Sequence, residues 1–121
     1  MNKITLALAL LTLLGLFLAL PAFAQEGDEC MHADATIADL RACVEHAYEQ
    51  GHITNRGVLR TLLAQLDAAQ AAHDRGQTTL AINLLQSFIY TIEAQAGRTI
   101  LEPHAQHIVA HAQNVIQALG Q

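Results

Sequence analysis

The sequence predicts an all-α protein: a compact four-helix, up-and-down domain preceded by a cleavable signal helix. Four segments repeat apolar residues at the three- and four-residue spacing of a helix face, and none alternates as a half-buried strand does. Short connectors that contain glycine or polar residues separate the segments, which favours antiparallel neighbours. We expect a signal peptide at residues 1–24, a polar acidic leader at 25–34 and the helical domain at 35–121.

The beginning of the chain has the three parts of a secretory signal peptide. Lys3 gives a positive start, residues 4–20 form an apolar run, and Pro21 ends it before an A-x-A pattern that predicts cleavage after Ala24. The alternative is a retained membrane anchor. A run of this length is at the lower limit for crossing a bilayer, and the proline and A-x-A pattern favour cleavage. We therefore expect an exported protein, periplasmic or extracellular.

The charge of the chain excludes two classes of partner. It has 11 acidic residues against 6 lysines and arginines, a net charge of −5, and cleavage would also remove its single lysine, Lys3. Nucleic-acid binding depends on cationic contacts to phosphates, and no polybasic patch suited to a membrane surface is present. We expect no nucleic-acid partner and no membrane association after signal cleavage.

Two cysteines, Cys30 and Cys43, would enter an oxidising compartment together, which predicts a disulfide between them. An unbroken helix from one to the other would hold them roughly 20 Å apart, beyond the Cα separation of about 7 Å that a disulfide tolerates. The bridge therefore requires residues 30–34 to be non-helical and folded back over the first helix. A pair of free thiols is the alternative.

The first two predicted helices have defined ends. Gly51 is placed to end the first helix, Asn55 is placed to cap the second, and Gly76 ends the second. Their apolar faces consist of Ile37, Leu40, Val44, Ala47 and Tyr48 in the first and Leu59, Leu62, Leu63, Leu66 and Ala69 in the second.

The last two predicted helices carry wider apolar faces. Thr78 can cap the third helix, Gly97 closes it, and Pro103 fits the first turn of the fourth, where its missing N–H costs nothing. The two faces consist of Leu80, Ala81, Leu84, Leu85, Phe88, Ile89 and Ile92, and of Ala105, Ile108, Val109, Ala112, Val115, Ile116 and Leu119.

Four motifs occur in a recognisable order along this helical region: ITNRG at residues 53–57, LLAQLDAAQAAHDRG at 62–76, AINLLQSFI at 81–89 and AQHIVAHAQNVIQAL at 105–119, with Gly97 and Ile100 between the last two. In their order and spacing these motifs resemble the FIMAH domain, a small helical module usually appended to larger exported bacterial and archaeal proteins. The resemblance implies a non-catalytic accessory or interaction module and carries over no catalytic residue. Here the domain is expected to stand alone after a signal peptide, and Leu101 and Pro103 occupy a stretch where the family has a Ser or Thr cap and acidic residues.

Three histidines, His104, His107 and His111, lie within the predicted fourth helix. They fall within about 60° of arc, about 105–110° from the centre of the apolar face, which puts them at the flank of the core within reach of solvent. His107 and His111 have the i, i+4 spacing that offers two imidazoles to one ion, but a tight site needs three or four ligands. The stripe is either a polar helix flank or a Zn, Cu or Ni site completed by another helix, the leader or another chain.

The side chains available for catalysis are few. After signal cleavage the chain keeps one serine, Ser87, no lysine, and two cysteines expected to bond to each other, whereas nucleophilic catalysis needs an activated nucleophile with a base and an orienting group. The sequence HIVAH lacks the glutamate of the metalloprotease pattern. The Glu49-x-x-His52 sequence is interrupted by Gly51 and cannot build a di-iron bundle. We expect no enzymatic activity.

These observations favour an exported, non-catalytic helical binding or interaction module, with an unidentified protein or surface partner and no resident cofactor. We expect a monomer or weak homodimer, with Tyr90 exposed opposite the apolar face of the third helix. One alternative is a periplasmic or extracellular transition-metal binding protein. Another is a secreted chaperone or inhibitor whose helices open around a partner, which would need a large exposed apolar patch.

Overall fold

The computed structural model describes Cys30 and residues 34–121. This part contains four helices: α1 (Ile37–Glu49), α2 (Arg56–Asp74), α3 (Thr78–Gln95) and α4 (Glu102–Leu119). Beyond them it holds isolated β-bridges and no strand, so the all-α prediction is confirmed. None of these four helices combines the length and apolarity needed to cross a membrane. The predicted signal peptide with its cleavage site at Ala24, and the leader apart from Cys30 and Asp34, lie outside the described residues.

The four helices pack as a closed up-and-down bundle. Each helix contacts its neighbours in sequence, and α1 also packs against α4. One core forms where the apolar faces meet, and its burial is the main favourable contribution to folding. Its largest fully buried side chains are Phe88, Leu40, Ile53, Leu62, Leu66, Leu85, Ile92, Ile100, Val44 and Val115.

The helix ends follow local hydrogen-bonding rules. The Thr36 side chain accepts from the Asp39 N–H at 3.1 Å, and Asn55, as predicted, accepts from the Val58 N–H at 3.0 Å. Each satisfies an amide with no partner inside its helix. A glycine with positive φ lies two residues beyond α1, α2 and α3, at the three predicted positions. The prediction for Thr78 is wrong, since it is the first residue of α3 rather than its cap.

Two connectors pair with each other at one end of the bundle. The Thr54 N–H donates to the Thr99 carbonyl at 2.8 Å, and the Leu101 N–H donates to the His52 carbonyl at 3.0 Å. Between these bonds Ile53 and Ile100 form an antiparallel bridge, and both are 1% exposed. The pairing fixes the α1–α2 connector beside the first turn of α4 and brings His52 next to the helix that carries the histidine stripe.

Candidate functional site

His111 is part of the buried interior and not of an open flank. It is 7% exposed, and its Nε2 donates to the Asp34 carbonyl at 2.9 Å. Because a carbonyl only accepts, this bond fixes the proton on Nε2. The other ring nitrogen, Nδ1, is buried without a partner. The expectation that solvent reaches the whole stripe is therefore wrong for His111, because the chain just before α1 lies against it.

The other two histidines of the stripe belong to a different group. The His104 ring stacks on the His52 ring, with centroids 3.5 Å apart and planes at 11°. His107 meets His104 edge-on, with centroids 6.2 Å apart. We call His52, His104 and His107 the imidazole cluster. The sequence did not predict His52 as a member, because it lies in a connector. Periodicity within α4 does not indicate which connector packs on that helix.

The environment of His104 disfavours its charged form. Partial burial is the largest cause, and the positive charges of His52 and His107 add to it; together they lower the pKa of His104 below its ordinary value. Two stacked imidazolium rings would place like charges face to face. A neutral ring at His104 relieves that repulsion, and neutral imidazole is also the form that binds metals.

The cluster is not arranged as a finished metal centre. Imidazole coordinates a metal through a ring nitrogen, whereas the stack turns the faces of His52 and His104 toward each other. Cys30 and residues 34–121 include no group of three or more His, Cys, Asp or Glu side chains placed to hold a metal ion. Binding at the cluster would require at least one ring to rotate.

The two cysteines lie together. Cys43 faces the core from α1 and is 4% exposed, and the half-buried Cys30 side chain is in hydrogen-bonding contact with it. Both are thiols in this structure. Burial, followed by the contact with Cys30, raises the pKa of the Cys43 thiol far above its ordinary value. A thiol that resists ionisation is a poor general nucleophile.

The remaining candidate side chains have local roles. The Ser87 hydroxyl donates to the Asn83 carbonyl of its own helix at 3.3 Å. His73, which its position places on the apolar stripe of α2, is exposed instead. Ala69 and Ala72 complete the buried stripe and leave His73 one position beyond it.

The exposed apolar side chains are scattered. Large ones in the described part are Leu80, Tyr90 and Leu101, at 43%, 65% and 51% exposure. Leu80 lies in the first turn of α3 and Leu101 just before α4, so they occupy opposite ends of the bundle. The exposure of Tyr90 agrees with the prediction. Three separate residues are not the continuous patch expected of a chaperone surface.

The model of the FIMAH domain family matches residues 37–117. The match begins at the first residue of α1, ends in the last turn of α4 and spans more than half of the chain. A search of curated proteins and a search of solved structures found no match. With the four-helix bundle and the ordered motifs along its helices, this chain belongs to the FIMAH domain family of helical accessory modules.

Proposed function

We propose that this protein is an exported, non-catalytic interaction module that recognises a partner protein through the outer side of its helices. The observation that carries this proposal is the family match, because an accessory family spans all four helices. Two side chains that could take part in catalysis form local hydrogen bonds instead, which is consistent with a non-catalytic module. His111 binds the backbone of Asp34, and Ser87 binds its own helix.

Export is supported by the signal-peptide features of residues 1–24 and the predicted cleavage after Ala24. The contact between Cys30 and Cys43 also fits an oxidising compartment, where adjacent thiols are joined. Outside the cytoplasm an acidic domain without lysine is suited to recognising proteins and not phosphate backbones.

The outer side of α3 is the surface we assign to the partner. Around Tyr90 the exposed positions one or two turns away are Asn83, Gln86, Ser87, Glu93 and Ala94, with a single charged residue among them. Interface centres are depleted of charge and enriched in aromatic residues. Tyrosine contributes a large apolar ring with a polar tip that remains able to hydrogen-bond. We call this surface the α3 outer face.

A site-specific photocrosslink tests the proposal. The signal-cleaved protein, with a photoreactive amino acid at position 90, is mixed with exported proteins of the producing cells and irradiated. We expect a discrete crosslinked product that unlabelled wild-type protein competes away and that a Tyr90→Ala competitor leaves in place.

Position 60 provides the control, because Arg60 is exposed on α2 instead of α3. The same product from both positions would show non-specific capture. No product from position 90 would contradict an interface on the α3 outer face.

Transition-metal binding is the second candidate, and the imidazole cluster favours it. The candidate ligands on α4 are His104 and His107. His111, the third histidine of the predicted stripe, donates a hydrogen bond to the Asp34 carbonyl instead. His52, whose ring stacks on His104, is the candidate to replace it. Two or three imidazoles on neighbouring elements suit Zn, Cu or Ni.

Calorimetric titration of the tag-free, signal-cleaved protein with Zn²⁺, Cu²⁺ and Ni²⁺ tests this candidate. Stoichiometric binding at micromolar concentration or tighter, lost in His104→Ala and retained in His73→Ala, would establish a site at the cluster. The His73 control removes an exposed imidazole on a different helix. Equal, weak heats for all three proteins would exclude a metal function.

A further inference from the structure

The chain in front of α1 is held against the bundle at two points. The Asp34 carbonyl accepts from His111 on α4, and Cys30 contacts Cys43 on α1. The Thr36 N–H donates to the Asp34 carbonyl at 2.8 Å, which turns the backbone just before α1 starts. We call Cys30, Asp34, Cys43 and His111 the N-terminal clasp.

The clasp brings the two cysteine side chains together, which a disulfide between them requires. A helix running through both cysteines would separate them by roughly 20 Å, but α1 begins only at Ile37, and the two side chains are in hydrogen-bonding contact. Cys43 is 4% exposed, and Cys30 is the thiol in contact with it.

We propose that Cys30 and Cys43 form an intramolecular disulfide that closes the N-terminal clasp after export, with Cys30 as the entry thiol and Cys43 as the resolving thiol. In the first step the more accessible Cys30, as thiolate, attacks an external disulfide such as oxidised glutathione. A mixed disulfide forms and one reduced thiolate leaves. In the second step the Cys43 thiolate attacks the Cys30 sulfur and expels the second reduced thiolate. Two protein thiols lose two electrons and two protons, and the external disulfide gains them.

The assignment of the two roles follows from their surroundings. Cys30 is half-buried and can meet an external disulfide, whereas Cys43 is enclosed by the bundle. Burial and the contact with Cys30 raise the pKa of the Cys43 thiol. Conversion of Cys30 to a mixed disulfide removes its thiol hydrogen bond to Cys43 and places an electrophilic sulfur beside the Cys43 thiol.

Mass spectrometry of the exported protein tests the bond itself. The full chain is produced with its signal segment, recovered from the exported fraction, unfolded in denaturant, and alkylated with and without prior reduction. We expect no alkylation and a mass about 2 Da below the reduced form, from two hydrogens lost, and two alkyl groups after reduction. Two alkylated thiols without reduction, or a disulfide-linked dimer, would overturn the proposal.

The single-cysteine variants test the roles with oxidised glutathione as the probe. Cys43→Ser should accumulate the glutathione adduct at Cys30, because the resolving thiol is absent. Cys30→Ser should react far more slowly, because its remaining thiol is buried. Equal rates in the two variants, or faster reaction of Cys30→Ser, would overturn the assignment of entry and resolving thiols.

Thermal unfolding supplies an independent measurement. A disulfide that closes the loop from Cys30 to Cys43 should raise the Tm by roughly 10 °C. The wild-type Tm should therefore fall by that amount in reductant. Cys30→Ser changes the less buried residue and should match the reduced wild type with or without reductant. Identical Tm values for oxidised and reduced wild type would show that no disulfide stabilises the N-terminal clasp.

Discussion

At the scale of single residues, three histidines of one helix occupy three environments. His107 is exposed, His104 is half-buried beneath the His52 ring, and His111 is enclosed with its Nε2 bonded to Asp34. All three lie within about 60° of arc. The difference comes from what covers each turn of α4: open solvent, a connector, or the chain before α1.

His104 gives the protein a predicted loss of stability in acid. Its pKa is lowered in the folded state by burial, His52 and His107, so the folded protein binds fewer protons there than the unfolded chain. The contribution is fully present above about pH 6.5, the ordinary pKa of histidine, and is lost as the pH falls below it. Tm measured from pH 7.5 to 5 should decline, and His104→Gln should decline less.

His73→Gln is the matched control for this titration, since it removes an exposed imidazole from α2. It should retain the pH dependence of the wild type. His52→Gln should resemble His104→Gln, because it removes one of the two charges that would face each other. A decline in His104→Gln as steep as in the wild type would assign the acid sensitivity to another group.

At the scale of elements, periodicity and glycines predicted each helix, and hydrogen bonds explain the error at α3. The Gln77 N–H donates to the Ala72 carbonyl, and the Gln77 carbonyl accepts from Ala81. Gln77 therefore closes α2 and opens α3, which leaves Thr78 inside the helix. Asn55 was predictable because a longer connector precedes it and leaves its side chain free to reach Val58.

The contacts between elements were beyond sequence reasoning. The helical pattern of α4 placed His104, His107 and His111 on one flank, but it contains no information on the path of the other segments. The stack on His104 depends on the pairing of two connectors. The cover over His111 depends on the turn before α1. The candidate site could thus be listed by residue type, while its division into a cluster and a clasp required the structure.

At the scale of the whole molecule, one core joins the four helices and two connectors of residues 34–121. Its members include Leu40 from α1, Leu66 from α2, Phe88 from α3, Val115 from α4 and Ile53 from a connector. A domain of this size has a total stability of roughly 5–15 kcal/mol. Because the four described helices share this core, a destabilising substitution at one central residue should lower the stability of all four together.

Phe88→Ala is the substitution that measures this coupling. Phe88 is fully buried, and its truncation should lower the free energy of unfolding by about 3–5 kcal/mol. The Tm should fall by roughly 10 °C or more, in one transition seen alike by circular dichroism and calorimetry. Two separate transitions, or a Tm within a few degrees of wild type, would contradict a shared core.

Tyr90→Ala is the control on the same helix, two residues away and 65% exposed. A surface truncation of this kind should change the free energy of unfolding by no more than about 0.5 kcal/mol. The comparison also separates folding from recognition. If Tyr90→Ala keeps the wild-type Tm but no longer competes for the crosslinked partner, the α3 outer face contributes to binding and not to stability. If it destabilises the bundle as Phe88→Ala does, its failure to compete would report unfolding, and the interface would have to be sought elsewhere.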